Sequence, residues 1–375
     1  MPGLVPWFGY SPIDIYNVVE ALDWQLKDMA AKSEVVTEDT WLIRDILPKT
    51  DFGATYYDNE EWESAISLTQ HTYTKAIDVS LSNYKLIGFY GVLGPSTQGV
   101  TAIKTQLGAN VIDKWQMQSL RQGVAANPAF EQGFLGIVRP GEQIIYSKKS
   151  NIQIYYYGTE TAAADDTTVL LGRVIEPVGR TAMGAGALAR TRAGLLPWFA
   201  TTPEMIKAKR DALDVELVRR GLKQGVIREG DYEIEDILPA TEFGTTYYAN
   251  EKWTGAIALT KNDWTKIIET DLDSEKLMGF YGYLGPDDMV TALRFKVGEA
   301  TTKDIWMLEQ CRRGELTSSA TGFQQSNLSL TRTPIVYNGD ETIVVDAYGA
   351  DNIGVDTRYF TGVLLGRVVR PKEGI

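Results

Sequence analysis

The stretch DILPKTDFGATYY at 45–57 returns as DILPATEFGTTYY at 236–248, and ten of the fourteen positions from Asp45 to Asp58 are identical in Asp236 to Ala249. The repetition is not local. LVPWFGYSP (4–12) recurs as LLPWFATTP (195–203), and KLIGFYGVLGP (85–95) as KLMGFYGYLGP (276–286), all at an offset of 191 residues. Trp115 pairs with Trp306 and RQG (121–123) with RRG (312–314), while LLGRVIEP (170–177) returns as LLGRVVRP (364–371) after a three-residue insertion. A chain that repeats itself over its whole length must fold each copy into the same compact unit. The reading is therefore a first copy at 1–177, an Ala/Gly/Arg-rich connector VGRTAMGAGALARTRAG at 178–194, and a second copy at 195–375.

Each copy opens with a helix. Ser11 is placed to cap, Pro12 to occupy the first helical position and Asp14 to lie in the first turn, and Ile15, Val18, Val19, Leu22, Leu26 and Met29 form one apolar stripe. Thr202 and Pro203 repeat the signal above Ile206, Leu213, Leu217 and Val218. The PWF before each cap reads first as a core staple and second as an intermolecular contact, which makes Trp7, Phe8, Trp198 and Phe199 candidate interface residues. After the helix come eight or nine short runs rich in Tyr, Val, Ile, Thr and Trp, broken by Gly, Pro, Asn and Asp, with no helix expected between them. That pattern predicts a mainly β fold of two tandem antiparallel β-sandwiches, jelly-roll-like because the strand count is close to eight.

The reactive inventory is small. The only histidine is His71, expected at a solvent-facing strand position, and the only cysteine is Cys311, expected as a small buried hydrophobe. A histidine-rich metal centre, a thiolate zinc cluster and an internal disulfide are excluded. The glycines of GFYGVLG and GFYGYLG alternate with bulky residues and lead into a turn, so they read as close sheet packing and not as a phosphate loop. Asp45 with Asp236, and Asn59, Glu60 with Asn250, Glu251, are kept in both copies; the two Glu read as solvated turn residues. No catalytic, cofactor or metal site is expected. In ILPxTxFGxTYY the proline reads as a strand end, Gly53 and Gly244 suit positive φ, and Tyr56, Tyr57, Tyr247 and Tyr248 alternate across a sheet. These tyrosines are candidate ligand or interface aromatics, with core or interface preferred over a sugar contact.

Formal net charge is −12, which argues against direct nucleic-acid binding. No apolar run is long enough to span a membrane, and the start lacks the layout of a secretory signal. The duplicated helices differ in charge. Residues 1–44 hold seven acidic and three basic side chains, residues 176–228 five acidic and ten basic. This contrast suggests that helices dock on one another or on a shared charged partner, with Arg219, Arg220 and Lys223 as candidate interface residues.

Helix, sandwich, connector, helix and sandwich in one chain resemble the double jelly-roll major capsid proteins of tailless icosahedral viruses. The resemblance implies a self-assembling virion component without cofactor or chemistry, whose partners are further copies of itself and other virion proteins. A trimer of such chains presents six similar units. A cement or decoration protein of the virion fits the same layout. The competing class is a carbohydrate-binding or receptor-binding adhesion protein using tandem sandwiches.

Overall fold

The structure is a computed structural model that describes residues 3–6, 9–94, 100–117, 134–158, 168–178, 191–285, 289–312, 327–350 and 359–372. Its contacts divide the chain into two compact units. The first comprises Met1–Ala182, Ala189–Thr191 and Glu309–Gln325; the second comprises Met183–Leu188, Arg192–Leu308 and Ser326–Ile375.

In the first unit, strand β1 (Leu4–Pro6) precedes helix α1 (Pro12–Lys32). Ser11 and Asp14 form a reciprocal capping box at the start of α1, which satisfies amide groups that would otherwise lack partners. Then follow β2 (Leu42–Asp45), the short helix α2 (Pro48–Phe52), β3 (Tyr73–Ser80), β4 (Leu86–Gly94), β5 (Val100–Leu107), β6 (Asn110–Gln116), β7 (Phe134–Val138), β8 (Ile144–Tyr146), β9 (Asn151–Gly158), β10 (Val169–Glu176) and β11 (Thr191–Arg192). One sheet runs β1-β7-β4-β10-β2-β11, with β8 also on β4, and the other runs β3-β9-β5-β6.

The second unit repeats this plan. It holds β12 (Leu195–Leu196), α3 (Pro203–Gln224), β13 (Tyr232–Asp236), α4 (Pro239–Phe243), β14 (Trp264–Asp271), β15 (Leu277–Gly285), β16 (Val290–Val297), β17 (Thr301–Met307), β18 (Asn327–Tyr337), β19 (Thr342–Gly349) and β20 (Val363–Pro371). Its sheets run β12-β18-β15-β20-β13 and β14-β19-β16-β17. The helix α5 (Glu309–Arg312) follows β17 in sequence but groups with the first unit.

If the eight principal strands of either unit are counted in order (β2, β3, β4, β5, β6, β7, β9, β10 and β13 to β20), both units show the orders 1-8-3-6 and 2-7-4-5. Strand 1 pairs with 8, 2 with 7, 3 with 6 and 4 with 5. That is one long antiparallel hairpin rolled into two sheets, the jelly-roll arrangement, and the pairings recorded between these strands are antiparallel. In the first unit the sheets meet where the Tyr146 hydroxyl donates to the Gln106 carbonyl at 3.1 Å. In the second, Phe280 and Phe295 face each other with centroids 5.5 Å apart.

Backbone conformations repeat even where residues change. Positive φ occurs at Glu34 and Gly225, Gly53 and Gly244, His71 and Asn262, and Lys149 and Asp340, each pair 191 residues apart. His71 therefore sits in a tight left-handed turn, not on a strand, and the same turn in the second copy uses Asn, which tolerates that conformation better.

The glycines of GFYG set the layer spacing. A Cβ on Gly88 would lie 2.5 Å from the Leu22 side chain of α1, and one on Gly279 2.6 Å from that of Leu213 in α3, so each opening helix rests directly on strand 3. Leu213 and Leu217 thereby join Leu277, Leu330 and Val369 in one buried cluster. Gly172 is more restrictive, since an added Cβ would lie 2.5 Å from the Gly88 carbonyl, a backbone atom that cannot swing away. Gly172→Ala is expected to lower stability by about 1–3 kcal/mol through overpacking, read as a lower urea midpoint at unchanged slope. An unchanged midpoint would mean that the sheet can spread.

Candidate functional site

DILPKTDFGATYY and its twin leave a strand at Asp45 and Asp236 and enter a network of charges. LPKTDF and LPATEF form the one-turn helices α2 and α4, each with its proline in the first turn and a glycine at positive φ after the end. Glu60, half-buried, is bound by the Thr50 hydroxyl and amide, and Glu251, exposed, by the Thr241 hydroxyl and the Ala240 amide, so these turn residues also close the short helices.

Arg173 of β10 reaches Asp23 of α1 at 3.2 Å and also pairs with Asp45 of β2, and the three side chains are buried. The second unit builds the same triad: Arg367 of β20 with Asp214 of α3 at 3.0 Å and with Asp236 of β13. This triad ties the opening helix to the sheet and explains why Asp45 and Asp236 are kept. Beside it, Arg44 holds Asp51 at 2.8 Å and Glu176 at 2.5 Å, and Lys85 reaches Asp51 at 2.9 Å. In the second unit the corresponding pair has exchanged sign. Glu235 stands at the twin of Arg44, Arg370 at the twin of Glu176, and they meet at 2.5 Å; Lys276 and Glu242 repeat Lys85 and Asp51 at 3.3 Å. Both signs are inverted together, so the attraction between the two positions is kept.

Burial alone would raise the Asp51 carboxyl, but Arg44, Lys85 and the Leu47 amide outweigh it and hold it well below the ordinary carboxylate range. A carboxyl depressed in the folded state contributes its stability above the unfolded value near 4, and that contribution fades as pH falls through the folded value. The melting temperature is therefore expected to fall on acidification below about pH 4 more steeply in the parent than in Asp51→Asn. Parallel acid profiles for the two would show that this carboxylate does not carry the effect.

Tyr57 and Tyr248 are buried and cannot present a face to a ligand. Each packs with a phenylalanine and a tryptophan, Tyr57 at 5.8 Å from both Phe52 and Trp62, and Tyr248 at 5.9 Å from Phe243 and 5.6 Å from Trp253. They follow a helical turn, so the alternation expected of a strand does not apply, though one tyrosine of each pair does point inward. Tyr56 and Tyr247 are half-buried and remain available at the surface. Trp7 and Phe8 lie outside the described residues. Trp198 lies in a 3-10 turn (Trp198–Ala200), in which Phe199 is buried. Cys311 lies in α5.

Arg219, Arg220 and Lys223 come together at the C-terminal end of α3. With Gln224 and Asn338 they line a surface pocket of about 330 Å³. Arg219 and Arg220 both bind Glu216, at 2.8 and 2.6 Å, and the hydrogen bonds from Arg219, then Arg220, hold its carboxyl down at about 2. The matching positions on α1 are Asp28, Met29 and Lys32, with Lys32 paired to Asp28 at 2.7 Å, so the cationic end belongs to the second copy alone. Among the described residues, no group of three or more His, Cys, Asp or Glu is placed to hold a metal ion, and no helix is long and apolar enough to cross a membrane.

No protein-family description matches the chain, and no curated protein matches it. Similar solved structures include dimeric latent PorU from Porphyromonas gingivalis, at 7% identity and TM-score 0.21, matching 87% of this chain but 22% of that one. The CUB1-EGF-CUB2 segment of human MASP-1/3 matches at 12% identity and TM-score 0.17, over 82% of this chain and 96% of that one. The infectious bursal disease virus VP2 subviral particle matches at 12% identity and TM-score 0.19, over 81% and 72%. Similarity this low carries no argument about function.

Proposed function

We propose that the chain is a structural subunit that assembles with copies of itself, as a virion capsid or capsid-associated component built from two jelly-roll modules. The observation that carries this reading is the strand order 1-8-3-6 and 2-7-4-5 occurring twice in one chain, with the same special backbone turns and the same helix-to-sheet triad. Keeping two copies this alike on one chain supplies two similar building surfaces per subunit, and a threefold oligomer then offers six. The retained residues support the reading as well. Asp45, Asp236, Glu60 and Glu251 serve the fold in both copies, so their retention needs no reaction to explain it.

Native mass spectrometry together with size-exclusion chromatography and light scattering tests the proposal. Trimers or larger closed bodies are expected at micromolar concentration. A monomer at every concentration and salt condition would overturn it.

A further inference from the structure

The two units are built alike, but one face is closed in the first and open in the second. Asp45 is 2% exposed and its twin Asp236 76%. Leu47 is 3% exposed and its twin Leu238 47%. Asn59, Glu61 and Trp62 are buried, whereas Asn250 and Lys252 are exposed and Trp253 is half-buried. Ile43 is buried and its twin Ile234 only half-buried. These positions lie on strand 1 of the sheet, at the N-cap of the short helix after it, and in the loop at 59–62 and its twin.

The first unit also shows what lies against part of that face. Beyond β2 its sheet continues into β11, where the Thr191 amide donates to the Trp41 carbonyl at 3.1 Å. Among the described residues of the second unit the sheet ends at β13. Within the first unit, helix α5 packs on β10, and the Glu309 carboxylate accepts from the Trp62 amide at 2.6 Å. Glu309 comes from the second sequence copy, directly after β17. The face is therefore fitted, in the first unit, by a piece of a sister module.

We propose that the open face of the second unit, formed by β13, Leu238 and residues 250–253, is the docking surface for a second copy of this chain. The proposal rests on the reading of the chain as a self-assembling subunit and names the surface through which assembly proceeds. The occupant follows from the duplication, since the twin face is already closed by this chain's own module sequence. The contact is head-to-tail, the open face of one chain against a different surface of the next, so it forms a ring where the rotation closes. Leu238 is its apolar centre, and β13, an edge strand among the described residues, offers backbone groups that a further strand can meet.

Sedimentation velocity over a concentration series, comparing the parent with Leu238→Glu, tests this. Near-UV circular dichroism and melting temperature establish that the variant is folded. The expected result is a rise of about tenfold or more in the concentration at half-assembly, because a charge replaces an apolar group at the centre of a contact. Unchanged assembly of a folded variant overturns this inference and leaves the proposed function standing. A parent chain that never associates overturns both. Should Leu238→Glu misfold, hydroxyl-radical footprinting of the parent decides: residues 232–238 and 250–253 are expected to gain protection on assembly, and unaltered labelling there overturns the inference.

Discussion

Replacing Arg173 with alanine is expected to destabilise the first unit by about 3–5 kcal/mol, because it leaves Asp23 and Asp45 as buried carboxylates without their cation. The same substitution at the twin, Arg367→Ala, is expected to cost only about 1 kcal/mol in the separated chain, since water screens Asp236 and partly reaches Asp214. Residue type and geometry are shared, so the contrast isolates burial as the cause. Urea unfolding of the two variants, followed by near-UV circular dichroism, reads the difference directly. Equal losses would mean that Asp236 is less open than described, or that the first network is reached by water. Assembly should narrow the gap, because a neighbour seated on the open face would desolvate Asp236 as Asp45 already is.

The second large effect is expected at the inverted pair. Arg44→Glu alone places a carboxylate beside Asp51 and Glu176 in a buried pocket and should cost at least about 3–5 kcal/mol, enough to unfold a marginal unit. Adding Glu176→Arg recreates the arrangement of the second unit, Glu235 with Arg370. There Arg370 also approaches Glu242 at 3.8 Å, so the transplanted arginine can serve Asp51. A double-mutant cycle is expected to give a coupling of about 2–3 kcal/mol in favour of the pair. Strict additivity of the two single changes would show that the exchange of signs between the copies arose without mutual compensation.

Much of the architecture was legible in the sequence because the duplication reports twice on each element. The opening helices were announced by Ser11 with Pro12 and by Thr202 with Pro203, and both caps are formed. GFYG was read as close packing, and Leu22 and Leu213 show what approaches so closely. Other elements were misread for definite reasons. PKTDF and PATEF are one-turn helices, too short for helical periodicity to register, and they displaced the tyrosine pairs from the strand pattern assumed for them. His71 lies in a turn before β3 whose left-handed backbone it shares with Asn262; the His71 amide donates to the Gly158 carbonyl as the Asn262 amide does to that of Gly349.

The charge network was missed altogether. Arg44 and Asp45 are neighbours on β2 and both are buried, whereas the ordinary rule sends charged side chains outward. A signal was present all the same. Arg44 and Glu176 change sign together in the second copy, and an exchange of that kind marks two residues in contact. The asymmetry between the two faces left only a partial trace in sequence: DILP and TYY are kept in both copies, but Leu42 and Glu61 of the closed face become Glu233 and Lys252 on the open one.

The most direct measurement is an electron cryomicroscopy reconstruction of the assembled chain. The expected map places the two sandwiches of each subunit at alternating, similar positions around a common axis, with β13 and Leu238 buried against the next subunit. A map in which the two sandwiches of a chain occupy unrelated environments would contradict the claim that both copies serve as similar building surfaces; one in which that face stays bare within a stable assembly would contradict the docking surface alone.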